Sequence, residues 1–297
     1  MNKYKGEISL IGVTFFWGLG YGVIEYALRQ GISPLEIQAL RFIIGSLCIL
    51  PLVLLKPQGF SKVTLKKGLI LGVFMFSFFY LILEGQRLTN TSKAAFLTAT
   101  YVLFVPFIDW VHLKTRPSGY AFLAAFLSIL GVWLMSPGGF SGLERGDYFL
   151  LAGAFLVAFH MVLSADYVKD EVPIHLNAVQ LGVTAILSSI ALLSTGGFRP
   201  LRGGSLLAII YIGVVATFIA YMLQTTGQKY TSASRASVLL SLEAPIGTLF
   251  GVLVFKDELT ARMALGYLSI FMAIIVSEGL ISTYLERRKY ARQTKGQ

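Results

Sequence analysis

The chain has 297 residues, of which 55% are hydrophobic and 13% charged, and its mean hydropathy is +0.71. A soluble globular domain carries about twice that share of charge, and a disordered chain requires low hydrophobicity, so both classes are excluded. Lysine and arginine outnumber aspartate and glutamate by 25 to 15. In so apolar a chain this surplus indicates the orientation of membrane loops, not binding to nucleic acid.

Ten apolar runs follow one another along the chain, each close to the roughly 20 residues that a helix needs to cross a bilayer. We predict membrane spans, numbered one to ten, at 8–28, 34–55, 67–85, 92–113, 118–136, 147–166, 174–194, 204–226, 233–255 and 261–283. The first run is too long for the apolar part of a signal peptide, so we expect it to remain as a span. The sequence therefore predicts an all-α polytopic membrane protein.

The two halves of the chain resemble each other when the chain is aligned with itself so that Leu81 falls over Leu223. Between 81 and 97 seven residues recur in the second half, and the register continues without a gap to position 118; positions paired in this way are called repeat-related below. The recurring residues are Leu81, Gly85, Gln86, Thr89, Ser92, Ala94 and Leu97. We predict two five-span repeats, residues 1–141 and 142–285, followed by a basic cytoplasmic tail at 286–297. Because five is odd, the second repeat enters the membrane from the opposite side, which is a known carrier architecture.

The distribution of lysine and arginine predicts which side of the membrane each loop faces. With the N-terminus inside, 16 of the 25 cationic residues fall in inner segments and 8 in outer segments, and Arg41 lies within span two. Short cytoplasmic loops carry such an excess of lysine and arginine. We therefore expect a multi-pass protein of the cytoplasmic (inner) membrane with both termini in the cytoplasm.

Several different short motifs follow one another along the whole chain. They are Phe16-Trp17-Gly18, Ser33-Pro34, Arg41-Phe42, the segment 89–98 with Pro106, the segment 230–233, Leu242-Glu243-Ala244-Pro245 and the turn at 256–260. With the duplicated five-span pattern, this set resembles the EamA-like branch of the drug/metabolite transporter superfamily. The resemblance implies a secondary carrier, often an exporter of amino acids or other metabolites, with a cavity between the two repeats. It also suggests a structural role for Arg41. The second repeat departs at Val157, where the first has Trp17.

Two ionisable residues lie near the middle of predicted spans. Glu243 is two residues before Pro245 in span nine, and His160 is near the middle of span six. An ionisable group inside a membrane is costly, so each is a candidate functional residue. Glu243 is predicted to bind a substrate ammonium or to take up a proton, and His160 is a second candidate for proton coupling. The alternative for both is a hydrogen bond that only holds helices together.

Aromatic and polar residues recur at helical spacing in four spans. They are Trp17 and Tyr21 in span one, Tyr80 in span three, Thr98 and Tyr101 in span four, and Tyr221 and Gln224 in span eight. Polar groups that face lipid would be unsatisfied, so we expect these stripes to face the interior. With Glu243 and His160 they form the predicted substrate-binding set, and the aromatic rings suit a cation.

The resulting hypothesis is a carrier that exports an amino acid or a similar zwitterionic or amphipathic metabolite by alternating access. An importer of a vitamin, a nucleoside-like or a choline-like solute, or a lipid flippase, is an open alternative. A membrane-embedded transferase is the rival from another class, and its candidate site is the acidic cluster Asp166, Asp170 and Glu171 with His175. We expect no catalytic residue, no metal and no cofactor. The expected partners are a small-molecule substrate, the lipid bilayer and candidate coupling protons, in a monomer or a homodimer.

Overall fold

The structure is a computed structural model that describes residues 3–55, 60–114, 116, 119–135, 143–198, 200–201 and 203–277. Within these ranges the chain forms helices and no strands. The α-helices are α1 (Lys3–Arg29), α2 (Pro34–Leu54), α3 (Lys62–Arg87), α4 (Thr91–Ala99), α5 (Tyr101–Leu113), α6 (Gly119–Met135), α7 (Arg145–Tyr167), α8 (Pro173–Leu193), α9 (Gly204–Ile210), α10 (Ala220–Gln228), α11 (Ala233–Ser241), α12 (Glu243–Phe250) and α13 (Ala261–Ser277). The predicted boundary between 141 and 142 and the predicted tail lie outside the described residues.

Each of the ten predicted spans corresponds to one helix or to consecutive helical pieces. Eight segments are long and apolar enough to cross a membrane, and the shorter apolar stretches Phe122–Gly131 and Ala261–Ala273 lie in spans five and ten. Many large apolar side chains are exposed on the outside of the bundle, as lipid contact requires. The predicted all-α polytopic fold class is confirmed.

The helices pack in pairs that the two repeats relate to each other. Span five packs on span ten, span two on span seven and span four on span nine. Span three packs on span six, and its counterpart, span eight, packs on span one. Each pair of packed spans is therefore matched by the pair at the corresponding positions of the other half, as an inverted five-plus-five repeat requires.

Local backbone features recur at repeat-related positions. Asn90 caps the start of α4 and Ser232 caps the start of α11, each accepting a hydrogen bond from the backbone N–H three residues later. Lys114 and Lys256, with φ of 60° and 59°, are the non-glycine residues of positive φ in the described chain. Both follow the last helical piece of their span, so the repeat extends to individual backbone angles.

Spans four, eight and nine are interrupted, which the apolar pattern does not predict. Span four breaks at Thr100 and span nine breaks at Leu242, with φ of −62° at both and ψ of −9° and −10°. Pro245 is the third residue of the helix that follows the second break, where an N–H has no partner within the helix, so proline costs little there. Tyr211–Ile219 in span eight and Gly251–Phe255 in span nine are π-helical.

Two glycine pairs let helices of one repeat cross helices of the other at backbone contact. A Cβ on Gly85 would lie 2.9 Å from the Gly146 carbonyl and 2.6 Å from Leu150, and a Cβ on Gly227 would lie 2.9 Å from the Gly6 carbonyl. The first crossing joins α3 to α7 and the second joins α10 to α1. Small residues at such crossings allow the close approach on which packing between membrane helices depends.

We expect Gly85→Ala to destabilise the protein by about 1–3 kcal/mol, because the added methyl forces the backbone of α7 away. The measurement is the midpoint of thermal unfolding in detergent. Gly12→Ala is the matched control, because a Cβ at Gly12 meets nothing within 4 Å. Equal unfolding midpoints for the two variants would show that the crossing tolerates a side chain.

Candidate functional site

A cavity lies between the two repeats, where spans one, two, three, four, six, eight and nine meet. The volume of this cavity is about 70 Å³. Eight of the nine predicted binding residues line it: Trp17, Tyr21, Thr98, Tyr101, His160, Tyr221, Gln224 and Glu243. Residues from separate stripes of the sequence are therefore brought to one cavity, as a ligand site in a helical bundle requires.

Tyr80 is the one predicted residue that the structure does not place in this cavity. Its side chain is exposed on the outside of α3, whereas Phe78 and Phe79 of the same helix line the cavity. Successive residues on a helix point about 100° apart, so Phe79 can face the cavity while the next residue, Tyr80, faces outward. The prediction that the stripe containing Tyr80 faces the interior is wrong, and the two phenylalanines supply the aromatic wall of span three.

The breaks in spans four and nine place two polar residues opposite each other in the cavity. Tyr101 is the first residue of α5 and Glu243 the first residue of α12, and the two positions are repeat-related. The Tyr101 hydroxyl lies beside the Glu243 carboxylate. Glu243 is 3% exposed and forms no ion pair with any residue that the structure describes. An acidic side chain in the first helical turn is favoured by the helix dipole.

Arg41 is a cavity residue that the sequence analysis did not include in the binding set. Its Nε donates to Thr217 Oγ1 at 2.9 Å and its Nη2 donates to the Ala216 carbonyl at 3.3 Å. Its guanidinium carbon lies 4.2 Å from the centre of the Phe79 ring. Arg41 is 2% exposed, so it does not extend to the membrane surface, and it pairs with no carboxylate in the described part of the chain. Its position well inside an apolar span was the signal that could have identified it.

The π-helical segment of span eight positions the partners of Arg41. The Ala216 carbonyl accepts from Trp17 Nε1 at 2.9 Å as well as from Arg41. The Trp17 ring lies 5.4 Å from the ring of Tyr221. Because Val157 stands in the second repeat where the first has Trp17, and also lines the cavity, the two repeats contribute unequal walls to it.

His160 belongs to a hydrogen-bonded chain of side chains that joins spans six, seven and eight. Its Nε2 bonds to Gln180 Oε1 at 2.9 Å, and the Gln180 amide donates to Asn177 Oδ1. Asn177 in turn donates to the Tyr221 carbonyl at 3.3 Å. Since the Gln180 amide is used as a donor, its oxygen accepts from His160, and the Nε2 atom carries the proton. No hydrogen bond joins His160 to Glu243 among the described residues.

The acidic residues at the C-terminal end of span six and in the loop after it form ion pairs. Asp166 bonds to Lys169 at 3.1 Å and to His112 at 3.1 Å. Lys67 lies 3.2 Å from Glu171 and 3.8 Å from Asp170. The described residues contain no group of three or more His, Cys, Asp or Glu side chains that could hold a metal ion. The carboxylates of this cluster therefore form ion pairs that join α3, α5 and α7 to the loop after α7.

Comparison with known proteins finds a transporter family and individual relatives that match almost the whole chain. The model of the EamA-like transporter family matches residues 4–136 and 144–278. The chain is 30% identical over 277 residues to an uncharacterized transporter of Archaeoglobus fulgidus, covering 93% of this chain and 86% of that protein. It is 22% identical to the uncharacterized inner membrane transporter YicL of Salmonella typhimurium, covering 97% and 98% of the two chains. A solved crystal structure, 19% identical, shares the fold with a TM-score of 0.67 and covers 94% of this chain and 98% of its own.

Proposed function

The chain belongs to the EamA-like transporter family and is a multi-pass membrane transporter, and from this premise we propose that its cargo is a small metabolite with a protonated amino group. The cargo class is an amino acid or a similar zwitterionic or amphipathic compound, carried by alternating access of the two repeats around the central cavity. The observation that carries this proposal is the Glu243 carboxylate, buried in the cavity without a cationic partner among the described residues.

A buried carboxylate is stable only when its charge is compensated or when it is protonated. A cargo ammonium supplies the missing charge, and the buried Tyr101 hydroxyl, which has no hydrogen-bond partner among the described residues, lies on the same cavity wall. Aromatic rings surround the site, because Trp17, Phe79 and Tyr221 all line the cavity. Their faces attract a cation, so the walls and the carboxylate select the same kind of group.

The dimensions of the cavity favour a small solute over a lipid. The cavity volume is small, about 70 Å³, and helices of both repeats line it. A lipid headgroup carried through it would have to bring two acyl chains between packed helices. The aromatic walls also fit a quaternary ammonium, so a choline-like solute is the second candidate cargo.

The topology belongs to the same proposal. Both termini lie in the cytoplasm, as the two-to-one distribution of lysine and arginine supports. The N-terminal half, residues 1–141, and the second unit, residues 142–285, act as the two bodies that rock against each other. Outward transport is proposed on the family resemblance.

Thermal unfolding of the purified protein tests the cargo class. A ligand that binds the folded state raises its stability by mass action, so weak substrates are detectable at millimolar concentration. The panel contains amino acids, their N-acetylated forms and choline. We expect amino acids or choline to raise the unfolding midpoint and the N-acetylated forms, which lack the ammonium, to leave it unchanged. Each hit is then tested by counterflow in liposomes. Stabilisation restricted to compounds without a cationic nitrogen would contradict the proposal.

Proton coupling is proposed for Glu243 in preference to His160. The His160 Nε2 atom is held by Gln180, whereas the carboxylate of Glu243 has no ion-pair partner in the described chain. A site that alternates between a proton and a cargo ammonium exchanges one for the other. Proteoliposomes with an imposed pH gradient are therefore expected to accumulate a cargo several-fold over liposomes at equal pH. Accumulation that does not depend on the pH gradient would indicate facilitated diffusion.

A further inference from the structure

We propose that Arg41 binds a carboxylate of the cargo in this cavity, so that the carrier recognises a zwitterion by its two ends. This inference rests on the proposed function, in which Glu243 binds the ammonium. Arg41 and Glu243 line the same cavity, and no ion pair joins them or neutralises either of them within the described chain. A molecule with one positive and one negative group supplies both missing charges at once.

The hydrogen bonds of Arg41 leave one part of the guanidinium free. Nε is used by Thr217 and one hydrogen of Nη2 by Ala216, while the buried Nη1 atom has no hydrogen-bond partner among the residues that the structure describes. Nη1 and the second hydrogen of Nη2 form one edge of the guanidinium. This edge matches the two oxygens of a carboxylate, which is the geometry for which arginine is suited.

A purely structural role for Arg41 does not explain why its charge has no carboxylate partner among the described residues. A guanidinium inside a membrane is costly unless it is paired or reaches water, and Arg41, at 2% exposure, has no carboxylate partner in the described residues. The contact with Phe79 compensates only part of a charge. The bonds to Thr217 and Ala216 instead fix the direction of the guanidinium, as a binding residue requires.

Other polar residues line the cavity that Arg41 and Glu243 share. Tyr21 and Tyr221 line the same cavity as Arg41 and Glu243. The Gln224 Oε1 atom, also on the cavity wall, is buried and accepts no hydrogen bond from the described chain. An amide oxygen of this kind accepts from an ammonium group. The unpaired donor of Arg41 and this unpaired acceptor thus fit the two ends of one zwitterion.

Matched ligands test the inference on the unaltered protein. The three sets are L-phenylalanine, phenethylamine and 3-phenylpropionate; L-leucine and isopentylamine; and glycine betaine and choline. In each set the members differ in the carboxylate or in the cationic nitrogen. We expect at least one zwitterion to compete in counterflow, and to stabilise the protein, at a concentration tenfold or more below its single-charge analogues. The measurements are the half-inhibitory concentration and the unfolding midpoint.

Two arginine variants separate recognition from folding. Arg41→Gln is expected to reduce the preference for the zwitterion over the amine at least tenfold while the amine still binds, and Arg41→Lys is expected to restore part of it. Arg29→Gln is the matched control, since Arg29 is exposed and pairs with Glu25 at the outer end of α1, and its preference should equal that of the unaltered protein.

The outcomes distinguish this inference from the function on which it rests. If the unaltered protein binds amines and zwitterions equally well, Arg41 does not bind a cargo carboxylate, and the proposed ammonium site at Glu243 is not contradicted. If a folded Arg41→Gln protein keeps the full preference, Arg41 is structural. If no zwitterion of the three sets binds, the inference is overturned, and binding of any amine still supports the proposed function. If only 3-phenylpropionate binds, both proposals fall.

Discussion

Replacing Glu243 with glutamine is expected to lower the counterflow of an amine cargo about 10- to 100-fold. The amide has the size of the carboxylate but carries no charge, so the cargo ammonium loses its counter-ion in a site of low polarity. A hydrogen bond to a charged group contributes about 1.5–3 kcal/mol, and about 1.4 kcal/mol corresponds to a factor of ten. The variant should fold, because burying an amide costs less than burying an unpaired carboxylate.

The measurement is the initial rate of counterflow at several cargo concentrations, normalised to the amount of folded protein in the liposomes. Glu84→Gln is the matched control, since Glu84 lies in span three but pairs with exposed Arg87 at 2.7 Å and does not line the cavity. It should transport at the normal rate. A Glu243→Gln protein that transports as fast as the control would remove Glu243 from the mechanism.

The fold followed from the sequence because its determinants are local or periodic. Span positions depend on the length of each apolar run, and the repeat was visible as recurring residues such as Gly85 and Gln86. The symmetry extends to contacts that no pattern shows. The Gln86 amide donates to the Tyr21 carbonyl at 2.7 Å, and the repeat-related Gln228 donates to the Met161 carbonyl at 3.3 Å.

The helix breaks were not predictable from the apolar pattern. Thr100 and Leu242 interrupt spans at positions where neither residue is a glycine or a proline, and only Leu242 has a proline close behind it. The two interrupted spans pack against each other, which is a contact between distant segments of the chain. Interrupted helices are the positions at which inverted-repeat carriers commonly build their sites. In this chain the breaks bring Tyr101 and Glu243 together.

The composition of the cavity was predictable in part. Polar and aromatic residues in mid-span were correctly expected to face inward at Tyr21, Thr98 and Tyr221, because lipid cannot satisfy polar atoms. Aromatic residues occur on more than one face of α3, so helical spacing alone does not decide which face lines the cavity; it predicts Tyr80, whereas Phe79 lines it. Arg41 was visible as a charge, but its partners Thr217 and Ala216 lie in the other repeat, far away along the chain.

Asp147→Asn is expected to destabilise the protein by about 3–5 kcal/mol, the largest loss of stability that we predict for a single substitution. Asp147 is fully buried and its Oδ2 lies 2.7 Å from the ammonium of Lys93, which is 5% exposed. The pair joins the start of α4 to the start of α7. Asp147 also accepts from the Glu144 backbone N–H at 3.0 Å and so caps α7. Removing the carboxylate leaves a buried lysine charge without a partner.

A second ion pair between the two repeats provides the matched control for this one. Arg235, which is repeat-related to Lys93, pairs with Glu7 at 2.8 Å, but the arginine side chain is 43% exposed. Glu7→Gln should therefore cost no more than about 1 kcal/mol. The double variant Lys93→Met/Asp147→Leu should recover most of the stability, because it buries no unpaired charge. Thermal unfolding in detergent compares the variants. Equal losses for Asp147→Asn and Glu7→Gln, or a double variant no more stable than Asp147→Asn, would mean that the unpaired charge of Lys93 is not the source of the loss.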